Sequence, residues 1–230
     1  KCYWLSAYIE TIILRAVWYP TTVASLSRNV RNMLMQYMSD TCDNLDGLPH
    51  ILHDFGSRGA SSRESAALGG MGHLLSFTGS DTIAAIMAAR RFYGEAIAGF
   101  SIPAAEHSTI TSWGKDGELD GFKNMLDTFL SEGKAVSVVS DSYNIWRSID
   151  DFWGDALKNQ IISSGGRLVI RPDSGDPVNV VCLAFEKLFT HFGYTENSKG
   201  YRVLPDCVRL IQGDGLDPEL IYDILNHHKK

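Results

Sequence analysis

Six acids, one histidine and two arginines each close a short apolar run: Asp54, Asp81, Glu106, Asp141, Asp173 and Asp214, with His107, Arg58 and Arg171. This mixture suits a substrate that carries both anionic groups and hydroxyls. Arginine offers a fork of N–H donors to phosphate. Asp173 and Asp214 could hold a sugar diol or orient a metal ion. The plainer reading makes such acids helix N-caps, as expected of Asp176 and Asp217 before Pro177 and Pro218. For Asp81 and Asp141, each just ahead of a helical run, both readings stand. Arg171-Pro172-Asp173-Ser174-Gly175-Asp176-Pro177 carries more turn and charge chemistry than a cap requires. Phe55, within His53-Asp54-Phe55-Gly56-Ser57-Arg58-Gly59, could face a planar ring with Arg58 on a neighbouring phosphate, or be an ordinary core aromatic. His107 could act as a general base, a phosphate contact, a transient phosphoryl acceptor or a structural histidine.

These residues need elements to hold them. The apolar runs are 51–56, 74–77 leading to Asp81, 99–103 leading to Glu106 and His107, 135–139, 168–170 and 208–211. The intervals from Phe55 through Asp81, His107, Asp141, Asp173 and Asp214 are 26, 26, 34, 32 and 41 residues. Each interval fits one strand–helix crossover and is too long for a hairpin. Helix signals lie between: Ser61 with Glu64 as a capping box, a run from Ile83 to Phe92 stopping at Gly94, and Val178 to Phe192 stopping at Gly193. Gly69-Gly70-Met71-Gly72 reads as close helix packing, and His227-His228 as a solvent-facing pair on a terminal helix. Alternating strands and helices imply a parallel sheet, either a barrel or a doubly wound layer. Six polar tips gathered at strand carboxyl ends favour an α/β barrel. Eight units would be needed to close one, so the chain, running from Lys1 to Lys230, is expected to be the middle of a longer protein.

Composition narrows the classes. Of 230 residues, 44% are hydrophobic and 21% charged, with a formal net charge of −6. A disordered or collagen-like chain is excluded, and a nucleic-acid-coating role disfavoured. Four scattered cysteines, with no CxxC pair, favour reduced thiols and a cytoplasmic location. Residues 3–19 are apolar but interrupted by Glu10 and Arg15, which argues for an amphipathic helix packed on a core and against a signal peptide or membrane span. Neither a GxxxxGK[ST] loop, a GxGxxG loop nor metal-type histidine spacing occurs.

Taken in order, several segments resemble the nicotinate/nicotinamide phosphoribosyltransferases, and the nicotinamide enzymes in particular. They include 18–25, 45–48, 53–59, 79–82, Ser101-Ile102-Pro103-Ala104-Ala105-Glu106-His107-Ser108-Thr109-Ile110, 137–143, 170–175, 195–201 and Gln212-Gly213-Asp214-Gly215. The resemblance implies an irregular, incomplete (β/α) barrel of that type. Residues 1–230 would be its central part, with 1–45 a helical lead-in and 46–230 the strand–helix units. It implies a pentosyltransferase that joins nicotinamide to phosphoribosyl pyrophosphate, with Mg²⁺ carried mainly on substrate phosphates. ATP would be a coupling phosphoryl donor to His107, and a homodimer the working form.

By that resemblance His107, Asp173 and Asp214 are catalytic. Phe55 stacks on the pyridine ring, Asp81 binds its carboxamide, and Ser101 lies near the pyridine channel. Arg58 contacts phosphate; Arg171, Asp173, Gly213 and Asp214 hold the phosphoribosyl part, with Pro172 also substrate-binding; Ser137 and Asp141 line the same pocket. Ser57 stands where some members have tyrosine. A second aromatic, a glycine-rich phosphate loop and further basic residues of the family lie outside this sequence, so the chain alone is expected to be inactive, with exposed strand edges. A barrel glycosidase would explain the acids but not Arg58, Arg171 or the His107 segment. A catalytically inactive relative that binds a nucleotide or a partner is the other alternative.

Overall fold

In a computed structural model, which describes residues 2–229, the chain forms two compact units, residues 1–101 and 102–230. Lys1 and Lys230, on which the reading of cut ends falls, lie outside the described residues.

The first unit begins with a 39-residue helix, α1 (Tyr3–Thr41), with Pro20 inside it. Only Ser27, Val30, Leu34, Met38 and Thr41 are buried, at the three- and four-residue steps of one helix face. The expectation that residues 3–19 pack on a core is therefore corrected. Tyr3, Trp4, Tyr8, Ile12 and Trp18 are exposed, because the apolar side chains there point around the helix rather than along one stripe. A 3₁₀ turn (Leu48–His50), β1 (His53–Asp54) and a second turn (Ser57–Gly59) follow. Next come α2 (Arg63–Leu74), β2 (Gly79–Ser80) and α3 (Ile83–Tyr93).

The cap of α2 is Ser62, which accepts from Ser65 N–H; the Ser61 box is off by one residue. The apolar run 74–77 is not a strand. Leu74 ends α2, Phe77 is fully buried, and the strand forms five residues on, where Gly79 and Ser80 pair in parallel with His53 and Asp54. Gly79 also bridges Phe100, which sets the start of the 99–103 run beside β2. The glycines of α2 do admit close packing: a Cβ on Gly70 would lie 2.5 Å from Ala85 Cβ of α3, and one on Gly72 2.8 Å from the Pro20 carbonyl. Helix α3 stops at Gly94, which takes the left-handed φ of 70° that favours glycine.

In the second unit come α4 (His107–Thr111), α5 (Glu118–Phe129) and β3 (Ala135–Val139). A continuous helical stretch follows: α6 (Ile145–Arg147), a π-helical segment (Ser148–Ala156) and α7 (Lys158–Ser163). Then come β4 (Arg167–Arg171), α8 (Pro177–Phe192), β5 (Thr195–Glu196), β6 (Arg202–Val203), β7 (Val208–Leu210) and α9 (Pro218–His228). Strands β3, β4 and β7 make a parallel sheet in the order β3–β4–β7; β5 and β6 pair as a separate antiparallel hairpin.

Val136, Val138, Leu168, Ile170 and Val208 of the sheet are fully buried, against Phe122 and Leu126 of α5, Trp153 of the π-helix, and Ala184 and Leu188 of α8. Each large aliphatic or aromatic among them contributes about 1.5–3 kcal/mol by leaving water. Asp176 and Asp217 cap α8 and α9, accepting from Asn179 N–H and Leu220 N–H. His227 is exposed, but the expectation of a solvent-facing pair fails for His228: its ring packs edge-on against Phe185 at 5.1 Å, and burial lowers its pKa. The class is α/β with parallel strands, and among the described residues no sheet closes into a barrel. Among the described residues no helix is long and apolar enough to cross a membrane, and the four cysteines are free of disulfides.

Candidate active site

In the first unit the polar tips meet at the carboxyl ends of β1 and β2. The Asp81 N–H donates to the Asp54 carbonyl at 2.8 Å, and the Asp54 carboxylate accepts from Gly56 N–H at 3.0 Å, folding the loop that carries Phe55 and Arg58. Asp81 does not cap α3. Its cap position is Thr82, while the Asp81 carboxylate accepts a hydrogen bond from the Ser101 hydroxyl. Phe55 is half-buried and not a core aromatic, and Arg58 and Asp81 are exposed. Behind the tips, burial lowers the pKa of His53 and His73, and His73 Nε2 lies 2.9 Å from the Gly79 carbonyl.

In the second unit the tips form a tighter cluster. Ser137, buried on β3, pairs through its backbone with Pro103 and Ala105, which brings the 103–107 segment beside the sheet. His107 opens α4 with Nε2 at 3.0 Å from Asp141 Oδ1 and Nδ1 at 3.8 Å from Asp173 Oδ2. Asp141 is no helix cap either, since that role falls to Asn144. Its second oxygen accepts from Asp173 N–H at 3.1 Å and from the Ser174 hydroxyl at 2.6 Å. Arg171, at the end of β4, lies 3.6 Å from Glu106 Oε2 and 3.7 Å from Asp173 Oδ2. Its side chain is 9% exposed and its Nε is buried without a hydrogen-bond partner. Those separations are ion-pair rather than hydrogen-bond distances, so the guanidinium keeps donors for a ligand.

The sheet accounts for this convergence. Residues 139 and 171 are in register on β3 and β4, so Asp141 and Asp173, two places beyond each, emerge side by side. Pro172 is buried between Arg171 and Asp173. Gly213 and Asp214 follow β7, whose end is tied to β4 by the Ile211 N–H on the Ile170 carbonyl at 3.0 Å. Asp214 is exposed and stays outside the carboxylate–histidine network among the described residues. Ser174 has no sequence signal beyond its place in the Arg171–Pro177 segment. Nothing local foretells the pairing of His107 with Asp141, 34 residues away.

The chain is 52% identical over 226 residues to a protein named nicotinamide phosphoribosyltransferase from Xanthomonas campestris pv. campestris, covering 98% of this chain and 48% of that one. Proteins of the same name from Acinetobacter baylyi and Mycoplasma pneumoniae are each 34% identical, covering 93% and 99% of this chain and 46% and 50% of theirs. The chain thus spans about half the length of the curated relatives it matches. Residues 50–230 match the model of the nicotinate phosphoribosyltransferase (NAPRTase) family, which takes in every strand end described above and leaves out α1. The chain belongs to the nicotinate phosphoribosyltransferase family.

Proposed function

We propose that this chain is the central part of an enzyme that transfers the phosphoribosyl group of phosphoribosyl pyrophosphate to nicotinamide, giving nicotinamide mononucleotide and pyrophosphate for NAD salvage. The observation that carries this reading is the network Glu106–Arg171–Asp173–His107–Asp141 at the ends of β3 and β4. Family membership separates the reading from a glycosidase.

Loss of pyrophosphate leaves positive charge on the ribose ring, which carboxylates placed beforehand stabilise without reorganising. Asp173 and Asp214 would take that role, with Gly213 letting the backbone approach. Arg171 would bind phosphate, its donors only loosely engaged by Glu106 and Asp173. Asp141 would hold His107 with the proton on Nε2, leaving Nδ1 its lone pair. His107 could then meet pyrophosphate and, by family resemblance, accept a phosphoryl group from ATP. In the first unit, Phe55 would stack on the pyridine ring and Arg58 contact phosphate. Asp81, oriented by Ser101, would accept the carboxamide N–H and repel nicotinate.

Three carboxylates (Glu106, Asp141, Asp173) against one Arg171 leave the cluster at −3 + 1 = −2 with His107 neutral. A bare pyrophosphate would be repelled there. That negative charge favours Mg²⁺ arriving on the substrate phosphates, where it would neutralise charge. The β3–β4–β7 sheet would be an arc of the irregular barrel, and a cytoplasmic homodimer the working form; these belong to the same reading by resemblance.

The test is product formation by the full-length gene product from nicotinamide and phosphoribosyl pyrophosphate, with nicotinate as competitor. Mononucleotide and pyrophosphate in equal amounts support the proposal. Mononucleotide bound without turnover would instead reveal an inactive binding relative.

A further inference from the structure

Outside the cluster, one wholly buried polar side chain is joined to it by an unbroken chain of hydrogen bonds. Trp153 lies in the π-helix, its ring stacked on Phe122 with centroids 4.4 Å apart. The indole N–H donates to Ser140 Oγ at 3.1 Å, and that hydroxyl donates to the Val138 carbonyl at 2.9 Å. Ser140 is itself fully buried, and its backbone N–H donates to the Arg171 carbonyl at 2.9 Å. One residue therefore joins the end of β3 to the end of β4, immediately before Asp141 and Pro172.

The segment that presents Trp153 is pinned from the other side. Asp150 Oδ2 accepts from Lys187 Nζ at 2.6 Å, and Asp150 Oδ1 lies 2.9 Å from His191 Nε2, both on α8. Gly154 lets the π-helix approach α8, since a Cβ there would lie 2.5 Å from the His191 ring. A π-turn carries an extra residue and re-aims the side chains that follow it. Here the re-aimed side chain is the one whose N–H reaches the strand ends. Ring stacking alone would be served by phenylalanine; a buried indole N–H demands an acceptor, and the acceptor is Ser140.

We propose that Trp153 is a positioning residue for the transferase: through Ser140 it fixes the strand ends that present Asp141, Arg171 and Asp173, and so governs the hold on phosphoribosyl pyrophosphate. Wholly buried, it would touch neither substrate. The catalytic part of this inference rests on the proposed function; the positioning part does not. Removing the indole N–H leaves the Ser140 hydroxyl with one partner fewer, and the two strand ends gain freedom.

The experiment compares Trp153→Phe, Ser140→Ala and the double variant in the full-length protein, by steady-state kinetics and by amide hydrogen exchange. Trp153→Phe is expected to raise KM for phosphoribosyl pyrophosphate about tenfold, the loss of one buried hydrogen bond, with KM for nicotinamide unchanged. Exchange at the Ser140 and Asp173 amides is expected to quicken about tenfold. Exchange at Leu168, whose N–H bonds the Cys207 carbonyl at the opposite end of β4, stays the same. Ser140→Ala keeps the ring and gives the same split, and the double variant is no worse than either single one, because one link is shared. Unchanged exchange at Ser140 and Asp173 overturns the proposal. So does a general loss, in which both KM values rise and Leu168 exchanges faster as well. If the unmodified enzyme transfers no phosphoribosyl group, the functional reading fails and the exchange comparison alone decides the positioning.

Discussion

Replacing Asp141 by asparagine separates its two jobs. One carboxylate oxygen faces His107 Nε2 at 3.0 Å; the other accepts from Asp173 N–H at 3.1 Å and from Ser174 Oγ at 2.6 Å. Asparagine has one acceptor and one donor end. With its oxygen toward Asp173 and Ser174 it preserves the tie between the strand ends and turns its NH₂ group on His107. That forces the proton onto Nδ1 and removes a charge-assisted hydrogen bond. At 5% side-chain exposure Asp141 is little screened by solvent. The lost bond is then worth about 1.5–3 kcal/mol, or roughly 10- to 150-fold in kcat/KM. Asp141→Asn in the full-length enzyme should therefore lose activity by that factor while keeping its melting temperature within about 2 °C. Asp141→Ala, which gives up all three bonds, should lose activity and several degrees together. An Asp141→Asn enzyme within threefold of the parent would refute the reasoning: Asp141 would be a brace for the backbone, and the orientation of His107 would not matter to catalysis.

Three other outcomes are expected. Glu118 is 1% exposed with both carboxylate oxygens buried and unpartnered among the described residues, and burial raises its pKa against the opposing pull of Arg147 and Lys115. With the folded value above the unfolded one, the native state binds more protons in the window between them, so stability falls as pH rises through the folded value. Glu118→Gln removes this slope. Its advantage over the parent in urea unfolding should grow as pH rises above the ordinary carboxylate range, and a constant gap would contradict the burial argument. Gly70→Ala drives a methyl to 2.5 Å from Ala85 Cβ and should cost about 1–3 kcal/mol, read as a lower melting temperature; an unchanged one would mean that α2 and α3 can part. Asp81→Asn should erase the preference for nicotinamide over nicotinate, measured by competition, and an unaltered preference would remove Asp81 from that role.

What could be read from the sequence was local, and what could not was tertiary. Asp176-Pro177 and Asp217-Pro218 cap helices because the cap, the proline and the start of the helix are neighbours in the chain. Gly94 and Gly193 end helices for the same kind of reason. Strands β3, β4 and β7 coincide with apolar runs, as buried parallel strands should. The run 74–77 misled because a buried Phe77 beside a helix end is apolar for packing, while β2 is a Gly–Ser pair whose strand character comes from His53, Asp54 and Phe100. Residues 3–19 misled because hydrophobic composition does not name a partner. The π-helix left no pattern at all, its extra residue per turn being held by contacts of Asp150 with α8. At the site, Asp81 and Asp141 were equally readable as caps; only the positions of Ser101, His107 and Ser174 decide otherwise.

The most direct measurement follows phosphoribosyl transfer in the full-length protein by simultaneous detection of nicotinamide mononucleotide and pyrophosphate. Equal production of both from nicotinamide, lost in Arg171→Ala and in Asp173→Ala, is the expected result. Absence of both products from a folded protein, or production that survives those two substitutions, would contradict the assignment of the β3–β4 strand ends as the catalytic site.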